Sequence, residues 1–422
     1  MNRKDIFVYG ILAYLLISLG VTYGQDTTQK IIPNRNNAPQ QQEKPYVILI
    51  SADGFRYDYL QKYHAQELKR LAKQGVKAEA LIPSFPSITF PNHYTIVTGL
   101  YPAHHGLIGN NMIDPFSNSR YSLGNKKAVT NPIWYGGIPI WTLAEQQGML
   151  SACFYWPGSE AAIGGILPSY YYAYNEKIPI ATRIQTVVNW LSLPPAKRPH
   201  FITFYLPEVD HIGHLFGPDA PETEKAVHFI DSAVYALNQA VAKTELPVNF
   251  VFVSDHGMTS IDTLHPLKLP ITIDTNEVQV SDNGTIVNLY VKNKKKIKTI
   301  YKAVHTDDGR YQAYLKNKVP SRYHFSKKED VHHRIGDIVL LAKSPYYFSR
   351  NKPHPGGHGY DPDETPEMKV TFIAWGPAFK KDMCIPAFEN IHIYPLLVEL
   401  LGLVNNQKID GDKRLLKEVL LR

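Results

Sequence analysis

Cysteine is nearly missing from this chain: its 422 residues include two, Cys153 and Cys384. So few thiols exclude a disulfide-built scaffold and a thiolate zinc site, and they leave room for one unforced bridge at most. Three familiar signatures are also absent: a Walker phosphate loop, a dinucleotide-type glycine fingerprint and a G-x-S-x-G nucleophile elbow. Nucleotide-driven phosphoryl transfer, hydride transfer and a serine-triad esterase each lose their usual support. No internal repeat is found. Neither Lys nor Arg occurs between residues 84 and 111.

At this length the chain can bury a large core, as two or three domains or as one enlarged α/β domain. It opens on MNRKDIFVYGILAYLLISLGVTYGQ, a short basic start followed by an apolar run from about Ile6 to Val21 and small residues near Gly24. This reads as a signal peptide over residues 1–24 and an exported protein, periplasmic or secreted. An uncleaved anchor helix is the alternative, and no other membrane partner is expected. Residues 25–44 are polar and rich in Gln, Asn and Pro, so they are expected to form a disordered lead-in. The formal charge is +7, but the densest basic run, KNKKKIK at 292–298, lacks interleaved aromatics. It reads as a solvated face, and no stable nucleic-acid complex is expected.

Short apolar strands alternate with helical patterns along the rest of the chain. Strands are expected at 46–51, 150–156, 200–207, 248–255 and 370–377, with helices at about 57–74, 221–244 and 391–402. That rhythm predicts an α/β fold: a mostly parallel central sheet flanked by helices, forming a catalytic domain over 45–405. Between about 259 and 350 the texture turns to short alternating segments with DNG and DDG turns, which predicts a smaller inserted antiparallel subdomain. Residues 406–422 are left as a C-terminal tail.

Polar clusters fall where the buried strands end. SADGFR puts Asp53 after the first strand, PEVDHIGH puts Asp210 and His214 after another, and SDHGM puts Asp255 and His256 after a third. Ligands of open α/β sheets bind outside the carboxyl ends of strands, so these groups should meet. Asp210 and His214 are four apart and would share one helix face. HPGGHGYDP adds His354 and His358. Oxygen and imidazole ligands without thiolates suit Zn²⁺, with Mn²⁺ or Fe as alternatives, and this many suit two ions about 4 Å apart, an arrangement that serves displacement at phosphorus. The hydroxyl-rich stretch SFPSITFPNHYTIVTG offers Ser84, Ser87, Thr89, Thr95 and Thr98 as nucleophiles, any of which would need a metal or a base for activation.

SADGFR, ITFPNHYTIVTGLYPAHHGLIGNNM, PEVDHIGH, SDHGM and GGHGYD, in that order, resemble the nucleotide pyrophosphatase/phosphodiesterase family of the alkaline phosphatase superfamily. The likeness covers about residues 45–405, and it implies an alkaline phosphatase-like fold. It also implies that Thr89 is the nucleophile, that one zinc is held by Asp53, Thr89, Asp255 and His256, and that a second is held by Asp210, His214 and His358. Asn110 matches the family asparagine that contacts a non-bridging phosphate oxygen. The implied activity is two-zinc hydrolysis of nucleotide phosphodiester and pyrophosphate bonds to nucleoside 5′-monophosphates through a phosphothreonine. A phosphomonoesterase or a lipid-type (choline) phosphodiesterase remains open. In this chain Ile88 replaces the lysine of animal relatives, and their cysteine-rich flanking domains are missing, as expected of a compact bacterial-type exported member.

Several residues near these motifs have plainer readings. His93 should stabilise the nucleophile loop, His104 and His105 should be turn residues, and His354 should lie in a loop. The run PSYYYAYN at 168–175 offers an aromatic wall for a nucleobase, with Tyr174 and Tyr205 as candidate substrate-binding residues and ordinary packing as the alternative.

Overall fold

The computed structural model describes residues 26–269, 274, 276–305 and 309–421; the leader expected over 1–24 lies outside them. The strand Tyr46–Ala52 is buried along its whole length. It runs parallel to Phe201–Leu206 on one side and to Val248–Val253 on the other. Ser151–Phe154 and Tyr170–Tyr172 continue the parallel arrangement outward.

A continuous apolar run is what a strand covered on both faces requires. Val47 and Leu49 point into one layer, with Ile96 and Val97 of the helix Thr89–Thr98. Ile48 and Ile50 point into the other, with Leu68 and Leu71 of the helix Gln66–Lys73 and Val227 and Ile230 of the helix Pro221–Ala242. Truncating one such side chain to alanine costs about 2–5 kcal/mol. The parallel direction places the carboxyl ends of these strands along one edge of the sheet.

The other half of the sheet departs from the parallel pattern. The strand expected over 370–377 is confined to Ile373–Trp375 and pairs antiparallel with both neighbours, Val248–Val253 and Gly75–Ala78. The helix expected over 57–74 is two short ones, Tyr59–Lys62 and Gln66–Lys73, because the chain turns between them with His64 at φ +52°.

Residues 278–342 carry a separate antiparallel sheet of four strands, in the order Val278–Asp282, Ile286–Val291, Ile338–Ala342, Tyr311–Leu315. Leu289, Leu340 and Val304 give it an apolar core of its own. Among the described residues no helix is long and apolar enough to cross a membrane.

Two expectations are corrected here. The lead-in is ordered from residue 26 onward: Gln29–Ile31 pairs antiparallel with Tyr170–Tyr172 at the sheet edge. The Asn37 amide donates to the carbonyls of Pro195 and Arg198 at 2.8 and 2.7 Å and accepts from Leu150 N–H at 2.7 Å. Composition registers too few apolar residues for a core, whereas this segment is held by strand pairing at Gln29–Ile31 and by a polar side chain that satisfies backbone groups of the segments leading into the strands Ser151–Phe154 and Phe201–Leu206. Likewise the tail is not peripheral, since Arg414–Val419 is helical and buries Leu415 and Val419 in the main core.

Candidate active site

Four elements deliver the polar groups. Asp53 follows the central strand, its N–H bonded to the carbonyl of Leu206 at 2.9 Å. Gly54 is in the left-handed region at φ +70°, and a Cβ there would lie 2.9 Å from Cα of Asp210. Only glycine lets the two carboxylate-bearing segments approach this closely. Asp210 and His214 share the helix Glu208–Phe216, whose first residue, Glu208, accepts from buried Arg183 at 2.9 Å. Asp255 and His256 follow Val248–Val253, and His358 follows the glycine pair Gly356–Gly357.

Thr89 is the first residue of the helix Thr89–Thr98, after an extended Ile88 that supplies no side-chain cap. Its Oγ1 lies 3.0 Å from Nε2 of His256. The next N–H, of Phe90, donates to Oδ1 of Asn110 at 3.1 Å. With that oxygen committed, the amide of Asn110 has its Nδ2 hydrogens to offer elsewhere.

The imidazoles are oriented alike. Nδ1 of His214 faces the carbonyl of Gly356 at 2.9 Å, Nδ1 of His256 that of Gly257 at 2.9 Å, and Nδ1 of His358 that of Ser87 at 3.1 Å. A carbonyl only accepts, so each Nδ1 carries a proton and Nε2 is the nitrogen turned toward the carboxylates, the orientation that a ligating histidine needs. Nε2 of His256 sits 3.3 Å from Asp53 Oδ1 and 3.0 Å from Asp255 Oδ2; Nε2 of His214 sits 3.4 Å from Asp210 Oδ1. The rings of His256 and His358 stack at 3.5 Å, and those of His214 and His358 lie 5.0 Å apart.

Two groups of potential ligand atoms each fall within 4.8 Å: Asp53, Asp255 and His256, then Asp210, His256 and His358. His256 thus stands at the junction of the two sets that the family resemblance implies, and His214 touches the second through Asp210. Burial, then the neighbouring carboxylates of Asp255 and Asp210, pushes the Asp53 carboxyl well above the usual range. Burial and Asp210 do the same to Asp255. Burial, then His358, holds His256 far below the ordinary imidazole range, and burial takes His358 down to about 4.

Oδ1 of Asp53, Oδ1 of Asp210 and Oδ2 of Asp255 are buried with no hydrogen-bond partner. Three unsatisfied carboxylate oxygens beside His256 and His358, which burial keeps neutral, are costly unless positive charge is supplied. The donor set of carboxylates and imidazoles without thiolates therefore fits divalent ions of the zinc type.

A cleft of about 690 Å³ opens from this cluster and is lined by Thr89, Asn110, Tyr174, Tyr205, Asp210 and His358, among others. Tyr205 is buried, and its hydroxyl donates to Oδ2 of Asp53 at 2.5 Å. Tyr174 is exposed at the mouth, its ring 6.0 Å from that of Tyr205. Phe90, Trp156 and Glu160 also line the cleft and were missed from sequence. WPGSE follows the strand Ser151–Phe154, so the strand-end rule already used for the aspartates could have found it.

His93 is fully buried; its Nδ1 faces the Thr89 carbonyl at 2.9 Å and its Nε2 faces Ser51 Oγ at 2.8 Å, a bracing position. His105 is buried against Thr95, and His104 lies between Asp410 and Glu329, away from the cleft. His354 is exposed in its loop. Cys153 is buried and Cys384 exposed, both as free thiols, so the permitted bridge is not formed.

The sequence model of a family described as type I phosphodiesterase / nucleotide pyrophosphatase matches residues 47–361. Ectonucleotide pyrophosphatase/phosphodiesterase family member 1 of Rattus norvegicus is 36% identical over 402 residues, which is 90% of this chain and 44% of the rat protein. A venom phosphodiesterase of Naja atra is 34% identical over 384 residues, covering 87% of this chain and 45% of its own. The chain thus spans under half the length of the curated relatives it matches. Among solved structures, an inactive variant of murine ectonucleotide pyrophosphatase/phosphodiesterase 5 in complex with AMP superimposes with a TM-score of 0.83 at 29% identity, covering 89% of this chain and 100% of the murine one.

Proposed function

The chain belongs to the type I phosphodiesterase / nucleotide pyrophosphatase family, and from that premise we propose that it hydrolyses nucleotide phosphodiester and pyrophosphate bonds, releasing nucleoside 5′-monophosphates by way of a phosphothreonine at Thr89. The observation that carries this reading is the position of Thr89 Oγ1, 3.0 Å from His256 Nε2, where His256 meets both acidic groups. Asp53, Thr89, Asp255 and His256 would hold one Zn²⁺, and Asp210, His214 and His358 a second. When bound, such ions supply the positive charge that lowers the pKa of a nearby hydroxyl or water and neutralises a leaving oxygen.

The chain's own residues do the rest. Thr89 loses its hydroxyl proton to solvent and bonds through Oγ1 to phosphorus while the bond to the leaving oxygen breaks in line, and the leaving group departs with that oxygen. Water then attacks phosphorus, the P–Oγ1 bond breaks, Thr89 regains a proton from that water and the nucleoside 5′-monophosphate is released. Its place on the first turn of a helix keeps the oxygen fixed at the cleft floor. Asn110 donates from Nδ2 to a non-bridging oxygen whose charge grows in the transition state. Tyr205 fixes Asp53, and Tyr174 with Phe90 flanks a nucleobase at the mouth of the cleft.

The AMP held by the inactive murine neighbour supports a nucleoside 5′-monophosphate as the group retained. The apolar leader, together with relatives named ectoenzymes and venom enzymes, supports an extracytoplasmic site of action, periplasmic or secreted. The deciding measurement is kcat/KM for p-nitrophenyl thymidine 5′-monophosphate relative to p-nitrophenyl phosphate on zinc-loaded protein. A large excess for the diester is expected; preference for the monoester would move the chain to a phosphatase.

A further inference from the structure

Asn110 can stabilise a phosphate only if its amide is held still, and the residue after it is gripped from the inserted sheet. The turn between Val278–Asp282 and Ile286–Val291 carries Asn283, whose Oδ1 accepts from the backbone N–H of Asn111 at 2.7 Å. Its Nδ2 donates to the carbonyl of the same residue at 2.9 Å. One side-chain amide thus pairs with both backbone groups of Asn111, as a neighbouring strand would. Ser281 Oγ adds a second donor to that carbonyl at 2.8 Å, and Asn111 Nδ2 donates to the carbonyl of Asp282 at 3.3 Å.

The grip is rigid on both sides. Behind Asn283, its own N–H bonds to the Ile286 carbonyl at 3.0 Å, Gly284 N–H bonds to Asp282 Oδ1 at 2.8 Å, and Phe348 N–H bonds to the Gly284 carbonyl at 2.7 Å. In front, the carbonyl of Asn110 accepts from Leu123 N–H at 3.0 Å. Gly109 leaves room for the contact: a Cβ there would fall 2.7 Å from Asn283 Nδ2 and 2.9 Å from the Asn111 carbonyl.

We propose that Asn283 is a positioning residue for turnover, fixing through Asn111 the aim of the Asn110 amide and so making the inserted subdomain part of the phosphate-binding machinery. The inference rests on the role given to Asn110 above. Misplacing a catalytic group by about 1 Å can cost on the order of 100-fold, and removing one oxyanion donor costs about 100- to 1,000-fold.

The test is a double-mutant cycle on the zinc-loaded full chain with a nucleotide diester. Asn283→Ala is expected to lower kcat by about 10- to 100-fold with little change in KM. In an Asn110→Ala background the same change should alter kcat less than twofold, because its route is already gone. The rate ratio between the two phosphorothioate diastereomers of the substrate, which reports contact with one non-bridging oxygen, should shrink in both single variants. Gly109→Ala, which crowds Asn283 without removing it, should reproduce the kcat loss if Asn283→Ala folds poorly. A kcat that falls for Asn110→Ala but is unchanged for Asn283→Ala and Gly109→Ala overturns the inference alone. Equal losses for Asn283→Ala in both backgrounds also overturn it. An unchanged kcat for Asn110→Ala sinks the reading of Asn110 and this inference with it.

Discussion

The hydroxyl of Tyr205 donates to Oδ2 of Asp53 at 2.5 Å, while Oδ1 of the same carboxylate points toward His256 with no hydrogen-bond partner. One oxygen is thus held by the protein and the other kept for a cation. Burial, then Asp53, raises the Tyr205 phenol well above its ordinary range, so it remains a donor at any physiological pH. Tyr205→Phe should keep the fold and weaken zinc binding by about 10- to 100-fold, the usual loss when a ligand's supporting hydrogen bond is removed. Competition against a calibrated chelator measures it, and unchanged affinity would mean that packing alone fixes Asp53.

Thr89→Ala should reduce turnover by more than about 10,000-fold, on the scale seen when a covalent nucleophile is deleted. Metal content should stay near that of the wild type, since Asp53, Asp255 and His256 are untouched. Rapid-quench labelling with a ³²P-nucleotide should give phosphoprotein in the wild type and none in the variant. Substantial activity in Thr89→Ala would remove the residue from its role.

Stacking at the cleft mouth is worth about 1–3 kcal/mol per base. Tyr174→Ala should accordingly raise KM for nucleotide diesters by about 5- to 150-fold. Hydrolysis of bis(p-nitrophenyl) phosphate, which has no nucleobase, should scarcely change. Equal losses on both substrates would assign Tyr174 to the structure of the mouth.

His104 joins three parts of the chain: Nδ1 is 2.7 Å from Asp410 and Nε2 is 2.7 Å from Glu329. Its hydrogen bond to Asp410 and, to a smaller extent, that to Glu329 raise its pKa in the folded state. A raised folded pKa contributes stability that is complete below the unfolded value, about 6.5, and is lost as pH climbs through the folded one. The Tm advantage of wild type over His104→Asn should therefore be larger at about pH 6 than at about pH 9. A difference independent of pH would show that the contact acts by shape alone.

Much of the site was legible because strand ends concentrate chemistry. Asp53, Asp210 and Asp255 each follow a buried apolar run, and a parallel sheet brings such ends to one edge. The four-residue spacing of Asp210 and His214 sets them on one face of the helix Glu208–Phe216. What stayed hidden depends on long-range pairing. The polar residues 26–44 look unable to fold by composition, yet Asn37 pairs with backbone groups of Leu150 and Pro195, in the segments that lead into strands much later in the chain. Asn283 lies 172 residues from Asn111, in a DNG turn that announces a hairpin and nothing about what the hairpin touches.

The pairing of Gln29–Ile31 with Tyr170–Tyr172 also bears on where the chain can be cut. Composition suggests starting a trimmed protein at Pro45, but such a protein would leave three consecutive tyrosines as an open strand edge. Open edges of this kind template pairing between copies of a chain. The same strand leads directly into Tyr174, so self-association there would crowd the entrance to the cleft. The polar segment Gln29–Ile31 acts, in effect, as an edge guard: it covers the tyrosine strand nearest the mouth and leaves as the outer rim only three residues with a lysine at their centre.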